Sequence, residues 1–266
     1  MIDLKTAKVV ITGGSAGIGL EMTKALAQRG AAVTIIARNQ ASFRDALDVG
    51  ARGIAGDATE SAVIDRVIAD VSPDVLILNA GARLHPALID EQDWKTFSQV
   101  WNTDVKATFV GIQAALKTPM RPGTRVLIMS SGAAMVMSHP AINPYDLRHS
   151  NGCVGAKRMV WFMGHQANAA SEIRSLDIKF QVLVPGQLMA ATGHGRIVAE
   201  ACAKVEGISV DKHILRKYGS HLEPAQVGRQ VAELLSDSRY DRGVAYGFRH
   251  NMDIIPFDQE SLPNAK

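Results

Sequence analysis

The chain is poor in cysteine: Cys153 and Cys202 are its only two thiols in 266 residues. Two thiols give no disulfide framework, so a reducing compartment, the cytoplasm, is the expected location. Aromatic residues make up 5% of the sequence, and no basic tract or basic–aromatic interleaving occurs. With 29 Lys and Arg against 26 Asp and Glu the formal net charge is only +3, which argues against nucleic acid as a partner. No apolar run reaches the ~18 residues of a membrane helix, so no membrane partner is expected. Met1-Ile-Asp-Leu-Lys-Thr leads straight into an apolar run, and no signal peptide is expected. The eight histidines show no metal-ligand spacing, and no metal is expected. Among them His139, His149, His194 and His213 read as surface or pocket-wall residues. Repeats and low-complexity tracts are absent as well.

What is present is regular alternation. Hydrophobic residues are 47% of the chain and charged residues 21%, a balance that suits one large globular domain over residues 1–266. Unbroken Val/Ile/Leu runs predict about seven strands, at 8–12, 32–37, 51–55, 74–78, 125–130, 179–184 and 243–248. Helices are expected near 17–29, 60–70, 92–116, 153–173 and 224–236. Such alternation implies an α/β fold, a doubly wound parallel sheet of Rossmann type with helices on both faces. Two irregular segments follow strand ends, where open α/β sheets bind ligands. Residues 132–152 are read as a substrate loop and 187–222 as a lid with one helix near 195–205. Met135, Met137 and Met189 fall in these walls, either lining a pocket or filling gaps in the core.

The most informative segment is Lys8-Val-Val-Ile-Thr-Gly-Gly-Ser-Ala-Gly-Ile-Gly19. A β-branched run enters a glycine turn, and apolar residues at Ile18, Met22, Ala25 and Leu26 then mark a helix. Gly13, Gly17 and Gly19 remove side chains that would keep the backbone away from a diphosphate. The helix start offers unpaired N–H groups and a positive dipole end. Gly30 stops the helix and Ala32–Ala37 follows as a buried strand, which completes a βαβ unit of roughly the usual ~30 residues.

On these residues, and on four further motifs, the chain resembles the short-chain dehydrogenase/reductase family over nearly its whole length. Thr12-Gly-Gly-Ser-Ala-Gly-Ile-Gly19 resembles the family's coenzyme turn. Asn79-Ala80-Gly81 follows the Val75–Leu78 strand like the family's Asn-Ala-Gly. Asn102 lies in the next helix like the structural and catalytic Asn, and Ser130-Ser131 closes a strand like the catalytic Ser. Pro185-Gly186 ends the sixth strand like the pair bordering the nicotinamide. The resemblance implies NAD or NADP as coenzyme and hydride transfer between a carbonyl and an alcohol. It also implies a homo-oligomer, dimer or tetramer. The family's proton donor is a Tyr in Tyr-x-x-x-Lys, with the Lys binding ribose and lowering the Tyr pKa.

The chain departs from that motif. The helix reads Cys153-Val-Gly-Ala-Lys157, which matches the Lys end and puts Cys153 where the Tyr belongs, one helical turn from Lys157. In a second register Tyr145, fourteen residues after Ser131, pairs with His149. The distance onward to Pro185-Gly186 then becomes too long, so Lys157 is taken as the motif Lys and Tyr145 as part of an inserted loop. Cys153 could shuttle a proton, act as a thiolate nucleophile, or be a small buried residue in a coenzyme-binding protein without classical redox chemistry, a sensor or a lyase-like relative. Tyr145 could instead swing in from the loop.

At the end of the second strand Ala37 stands where an NAD-binding member of the family usually has an acid, and Arg38 follows. A guanidinium there suits a 2′-phosphate, so NADP(H) is favoured and NAD(H) stays open. The expected coenzyme contacts are Gly13, Ser15, Gly17, Ile18, Gly19, Arg38, Asp57, Ala58, Asn79, Ala80, Gly81, Lys157, Pro185 and Gly186. The expected catalytic group is Ser131, Lys157, Asn102 and either Cys153 or Tyr145. Thr192 comes two residues late for the family's carboxamide-binding Thr.

Overall fold

The computed structural model describes residues 1–117, 120–138 and 152–257, with backbone alone for 136–138. Eight strands form one sheet: β1 (Lys8–Thr12), β2 (Ala32–Ala37), β3 (Arg52–Ala55), β4 (Val75–Leu78), β5 (Arg125–Met129), β6 (Lys179–Pro185), β7 (Ala245–Phe248) and β8 (Ile254–Pro256). Their order is β3-β2-β1-β4-β5-β6-β7-β8. The first seven run parallel, and β8 pairs antiparallel with β7, Gly247 opposite Ile255. The direction of winding reverses between β1 and β4, so a crevice opens above their C-terminal ends.

The pleat sorts side chains to two cores. Val9 and Ile11 of β1 join Ile35, Ile77 and Leu127 on one face, covered by α1 (Gly17–Gln28) and α9 (Pro224–Ser236) through Met22, Leu26, Val227 and Val231. Val10 points the other way, with Ile36, Leu76 and Ile128, under α3 (Ser61–Val71), α5 (Lys106–Lys117) and α6 (Cys153–Ile173). Full burial of each such aliphatic side chain stabilises the fold by roughly 1.5–3 kcal/mol, and Val9, Val10 and Ile11 are all fully buried.

Four differences from the expected elements stand out. The eighth strand is only three residues long, too short to show alternation in sequence. The helix expected over 92–116 is three pieces: α4 (Trp94–Val100), a π-helical turn (Trp101–Val105) and α5. Asp93 starts α4, its Oδ1 accepting the Thr96 N–H at 2.7 Å. A 3₁₀ turn (Gln40–Phe43) and the short α2 (Arg44–Leu47) fill the β2–β3 connection. The segment 187–222, expected as a lid with one helix, holds two helices, α7 (Gly193–Glu206) and α8 (Val210–Tyr218), because Gly207 ends the first in a left-handed conformation and Ser209 caps the second.

Candidate active site

The glycine turn sits at the C-terminal end of β1. Gly13 and Gly17 have positive φ, +69° and +53°, and a Cβ on Gly19 would lie 2.1 Å from the Gly13 carbonyl oxygen. The turn is tied from below. Thr23 Oγ1 lies 3.0 Å from the Gly14 carbonyl oxygen and 2.9 Å from that of Gly19. Asn79 donates through Nδ2 to the carbonyls of Thr12 and Gly13, both at 3.2 Å, while Thr12 Oγ1 accepts the N–H groups of Asn79 and Ala80 at 2.9 and 3.1 Å. Asn79 therefore braces the turn against β4. At the start of α1, Ala16 offers no side-chain cap and the first turn has no acidic residue. The first N–H groups of α1 lack intrahelical partners and present a positive dipole end. That donor set fits a dinucleotide diphosphate.

The second half of the site lies above β4 and β5. Lys157, on α6, sends Nζ to Asp104 Oδ2 at 3.0 Å and to the Met129 carbonyl at 3.2 Å. The two side chains are 12% and 3% exposed. Asp104 Oδ1 accepts the Ala82 N–H at 2.7 Å, so one carboxylate joins the π-helical turn, the loop after β4 and α6. Gly81 makes room: a Cβ there would come 3.1 Å from Asp104 Oδ2. Burial works against the Lys157 ammonium, but Asp104 beside it outweighs that and the net pKa direction is upward. Lys157 is thus a fixed, paired cation at neutral pH.

Ser130 and Ser131 separate in role. Ser130 is buried and donates through Oγ to the Lys157 carbonyl at 2.8 Å, locking α6 onto the end of β5. Ser131 is half-buried, and its Oγ accepts the Ala133 N–H at 3.2 Å, leaving a hydroxyl at the strand end. Pro185-Gly186 closes β6 nearby: a Cβ on Gly132 would meet the Pro185 carbonyl at 3.1 Å, and the Gly186 N–H bonds the Phe248 carbonyl at 3.0 Å.

Cys153 is buried with Ala82, Leu84, Val100 and Ala156. Burial pushes its thiol up to about 11, the Lys157 charge opposing and the Asp104 charge adding. It is a neutral thiol near neutral pH, and the thiolate nucleophile weighed from sequence finds no support in this apolar setting. Asn102 lies in the π-helical turn and is exposed, its amide 3.5 Å from Ser98 Oγ; it is Asp104, two residues on, that reaches Lys157. Sequence reading passed over Asp104. The available signal was its isolation, as the only acid between Asp93 and Asp146. Tyr145, His139 and His149 lie outside the described residues, as does most of the 132–152 loop.

The rim carries the remaining expected contacts. Arg38 is exposed just past β2, and its charge helps hold the Asp57 carboxyl below its ordinary value, after the Thr59 N–H bond at 2.9 Å. Ser15 receives the Ser42 hydroxyl at 3.0 Å, Ile18 is half-buried and Ala58 is buried. The lid reaches the glycine turn, for a Cβ on Gly17 would lie 3.8 Å from Thr192. Thr192 spends its hydroxyl locally, accepting the Gly195 N–H and donating to the Met189 carbonyl, each at 2.9 Å. Two residues further His194 keeps part of its surface open to solvent while protein atoms crowd the ring. Crowding and the Lys157 charge lower its pKa; Asp104 and the Ala82 carbonyl resist. Among the described residues no three or more His, Cys, Asp or Glu gather as a metal site, and no helix is long and apolar enough to cross a membrane.

A family model described as short chain dehydrogenase matches residues 7–146. An oxidoreductase of Sarocladium schorii is 28% identical over 242 residues, 87% of this chain and 88% of that one. The gluconate 5-dehydrogenase of Gluconobacter oxydans is 33% identical over 157 residues, 54% of this chain and 60% of that one. Among solved structures, a short-chain dehydrogenase from Streptomyces avermitilis superposes with TM-score 0.69 at 18% identity, covering 93% and 89% of the two chains. The actinorhodin polyketide ketoreductase, solved with NADPH, superposes with TM-score 0.74 at 20% identity, covering 95% and 99%. The match over residues 7–146, on the fold and glycine turn described, establishes that this chain belongs to the short-chain dehydrogenase family.

Proposed function

We propose that the protein is an NADP(H)-dependent oxidoreductase that moves hydride between the coenzyme and a carbonyl or secondary alcohol. The observation that carries this reading is the meeting of a glycine turn shaped for a diphosphate with a fixed cation, Lys157, above the ends of β1, β4 and β5. Bound NADP(H) supplies the hydride or accepts it. The chain's own residues bind and orient. Gly13, Ser15, Gly17, Ile18 and Gly19 receive the diphosphate; Asp57, Ala58, Ala80 and Gly81 border the adenosine; Pro185 and Gly186 border the nicotinamide; and Lys157 takes a ribose hydroxyl. Ser131 orients the substrate oxygen, and Asn102 holds a water for proton relay. Residues 132–152 and 187–222 wall the substrate.

Arg38 supports NADP(H) over NAD(H), since no acid stands at the end of β2 to claim the ribose hydroxyls. A charge-assisted contact is worth about 1.5–3 kcal/mol, so Arg38→Ser is expected to weaken NADPH binding about 10- to 150-fold and leave NADH nearly unchanged. Isothermal titration with both coenzymes checks this. Turnover on a panel of ketones, aldehydes and secondary alcohols tests the reaction class.

A second reading, a coenzyme-binding protein without hydride chemistry (a sensor or lyase-like relative), draws on Cys153, a neutral buried thiol one turn before Lys157. Tight NADPH binding with no turnover on any panel member selects it. The sequence-level donors, Cys153 or loop Tyr145, separate through Cys153→Ala and Tyr145→Phe. We place the protein in the cytoplasm, a reading supported by its two thiols without a disulfide framework, and as a homo-oligomer, supported by exposed Phe109 on α5 and exposed Phe162 and Ile173 on α6.

A further inference from the structure

We infer that His194, at the start of helix α7, is the proton acceptor and donor of the site, in the role that the family gives to a tyrosine. The inference rests on the oxidoreductase reading and deepens it.

Three observations place the imidazole. Val198 of α7 packs on the cluster of Ala82, Leu84, Val100, Cys153 and Ala156. Residues four apart share a helix face, so His194 faces the same cluster one turn closer to the helix start. Cys153 belongs to that cluster and Lys157 shares its face of α6 by the same rule, so the imidazole is brought toward the Cys153–Lys157 pair. Second, the ring meets the Ala82 carbonyl and the charges of Lys157 and Asp104. Ala82 donates its N–H to Asp104 while its carbonyl faces His194, so a single residue links the imidazole to the Asp104–Lys157 pair through two successive peptide groups. A carbonyl that receives one ring N–H fixes the tautomer and turns the other nitrogen toward a substrate. Third, His194 is exposed while Cys153 is buried, so of these two groups the imidazole is the one open to proton exchange with solvent.

The step balances. In oxidation the alcohol O–H proton moves to the unprotonated ring nitrogen, and the C–H hydrogen leaves with its electron pair as hydride to the oxidised pyridine coenzyme. The C–O bond becomes a carbonyl, and His194 then passes its proton to water. Reduction runs the same transfers backwards and starts from the imidazolium. Near neutral pH His194 is mostly unprotonated, its pKa lowered by crowding and by Lys157 despite Asp104 and the Ala82 carbonyl; Cys153 in the same cluster stays a neutral thiol. Oxidation should therefore rise with pH to a plateau above the His194 pKa, and reduction should fall over the same interval.

The test combines kinetics with a readout that needs no coenzyme. In the coenzyme-free protein, histidine ring NMR should show His194 titrating below the ordinary histidine value. Lys157→Gln should raise that midpoint by removing a cation, and Asp104→Asn should lower it by removing an anion; the two variants back each other should one fail to fold. In the wild-type reaction, His194→Ala should lower kcat about 100-fold or more, within the range general acid–base groups supply. It should flatten the pH profile, leave NADPH affinity within a factor of about two, and respond to added imidazole. A His194 midpoint indifferent to both Lys157 and Asp104, or a His194→Ala enzyme with wild-type kcat and pH profile, overturns the assignment. Wild-type protein that binds NADPH yet turns over nothing defeats the oxidoreductase reading instead, whatever the NMR midpoints show.

Discussion

At the scale of single residues, the site is governed by which atoms are missing and which charges are paired. Gly19 illustrates the first. A methyl group there collides with the Gly13 carbonyl at 2.1 Å, so Gly19→Ala should distort the turn and weaken NADPH binding by more than tenfold in calorimetry, with the melting temperature changing far less. Asp104 and Lys157 illustrate the second. Both are largely buried, and breaking a buried pair by removing one partner costs about 3–5 kcal/mol. Asp104→Leu should lose that much by urea unfolding, and pairing it with Lys157→Met should recover most of it. The raised Lys157 pKa gives the pH sign. Its contribution is intact below the ordinary lysine value and fades as pH climbs through the higher folded value, so the stability gap between the wild type and Lys157→Met should narrow at strongly alkaline pH. The thiol of Cys153 makes a complementary case: with its pKa near 11, alkylation at this position should stay slow at pH 8, as peptide mapping after iodoacetamide can show. Much of this chemistry was legible in the sequence. The glycines announced the turn because only a bare backbone makes it, and the Gly-Ala-Lys run announced Lys157. Asp104 carried no sign beyond its isolation as an acid, which names no partner; only the fold brings it to Lys157.

At the scale of elements, periodicity did most of the work and failed where geometry is irregular. The run Cys153–Ile173 reads as one helix and is one. The stretch 92–116 also reads as one helix, but a π-helical turn interrupts it at Trp101–Val105, and that turn aims Asp104 inward while leaving Asn102 exposed. Such wide turns tend to occur at functional sites, and they leave no mark in hydrophobic spacing. The second lid helix escaped for a related reason: Val210–Tyr218 is short and strongly charged, so it resembles a loop in composition. Central strands are the opposite case, dense in signal and in packing. Ile77 in β4 is fully buried, and Ile77→Ala should cost about 2–5 kcal/mol in a denaturant titration.

At the scale of the whole molecule, the sheet order explains why residues far apart in sequence meet. The reversal of winding between β1 and β4 gathers the loops after β1, β4 and β5 along one edge, and α7 and α8 follow β6. Phe109 on α5 and Phe162 and Ile173 on α6 are exposed apolar side chains that a second copy could cover. Light scattering should therefore report an assembly larger than one chain, and Phe162→Glu should shift it toward the monomer.

A methyl group on Gly17 would just touch Thr192, at 3.8 Å, so the residues that begin α7 border the cradle. His194 lies two residues on, at the start of the same helix. A nucleotide seated on the turn would then form part of the wall against which the small molecule packs. Product-inhibition patterns are expected to show compulsory order, nucleotide first on and last off.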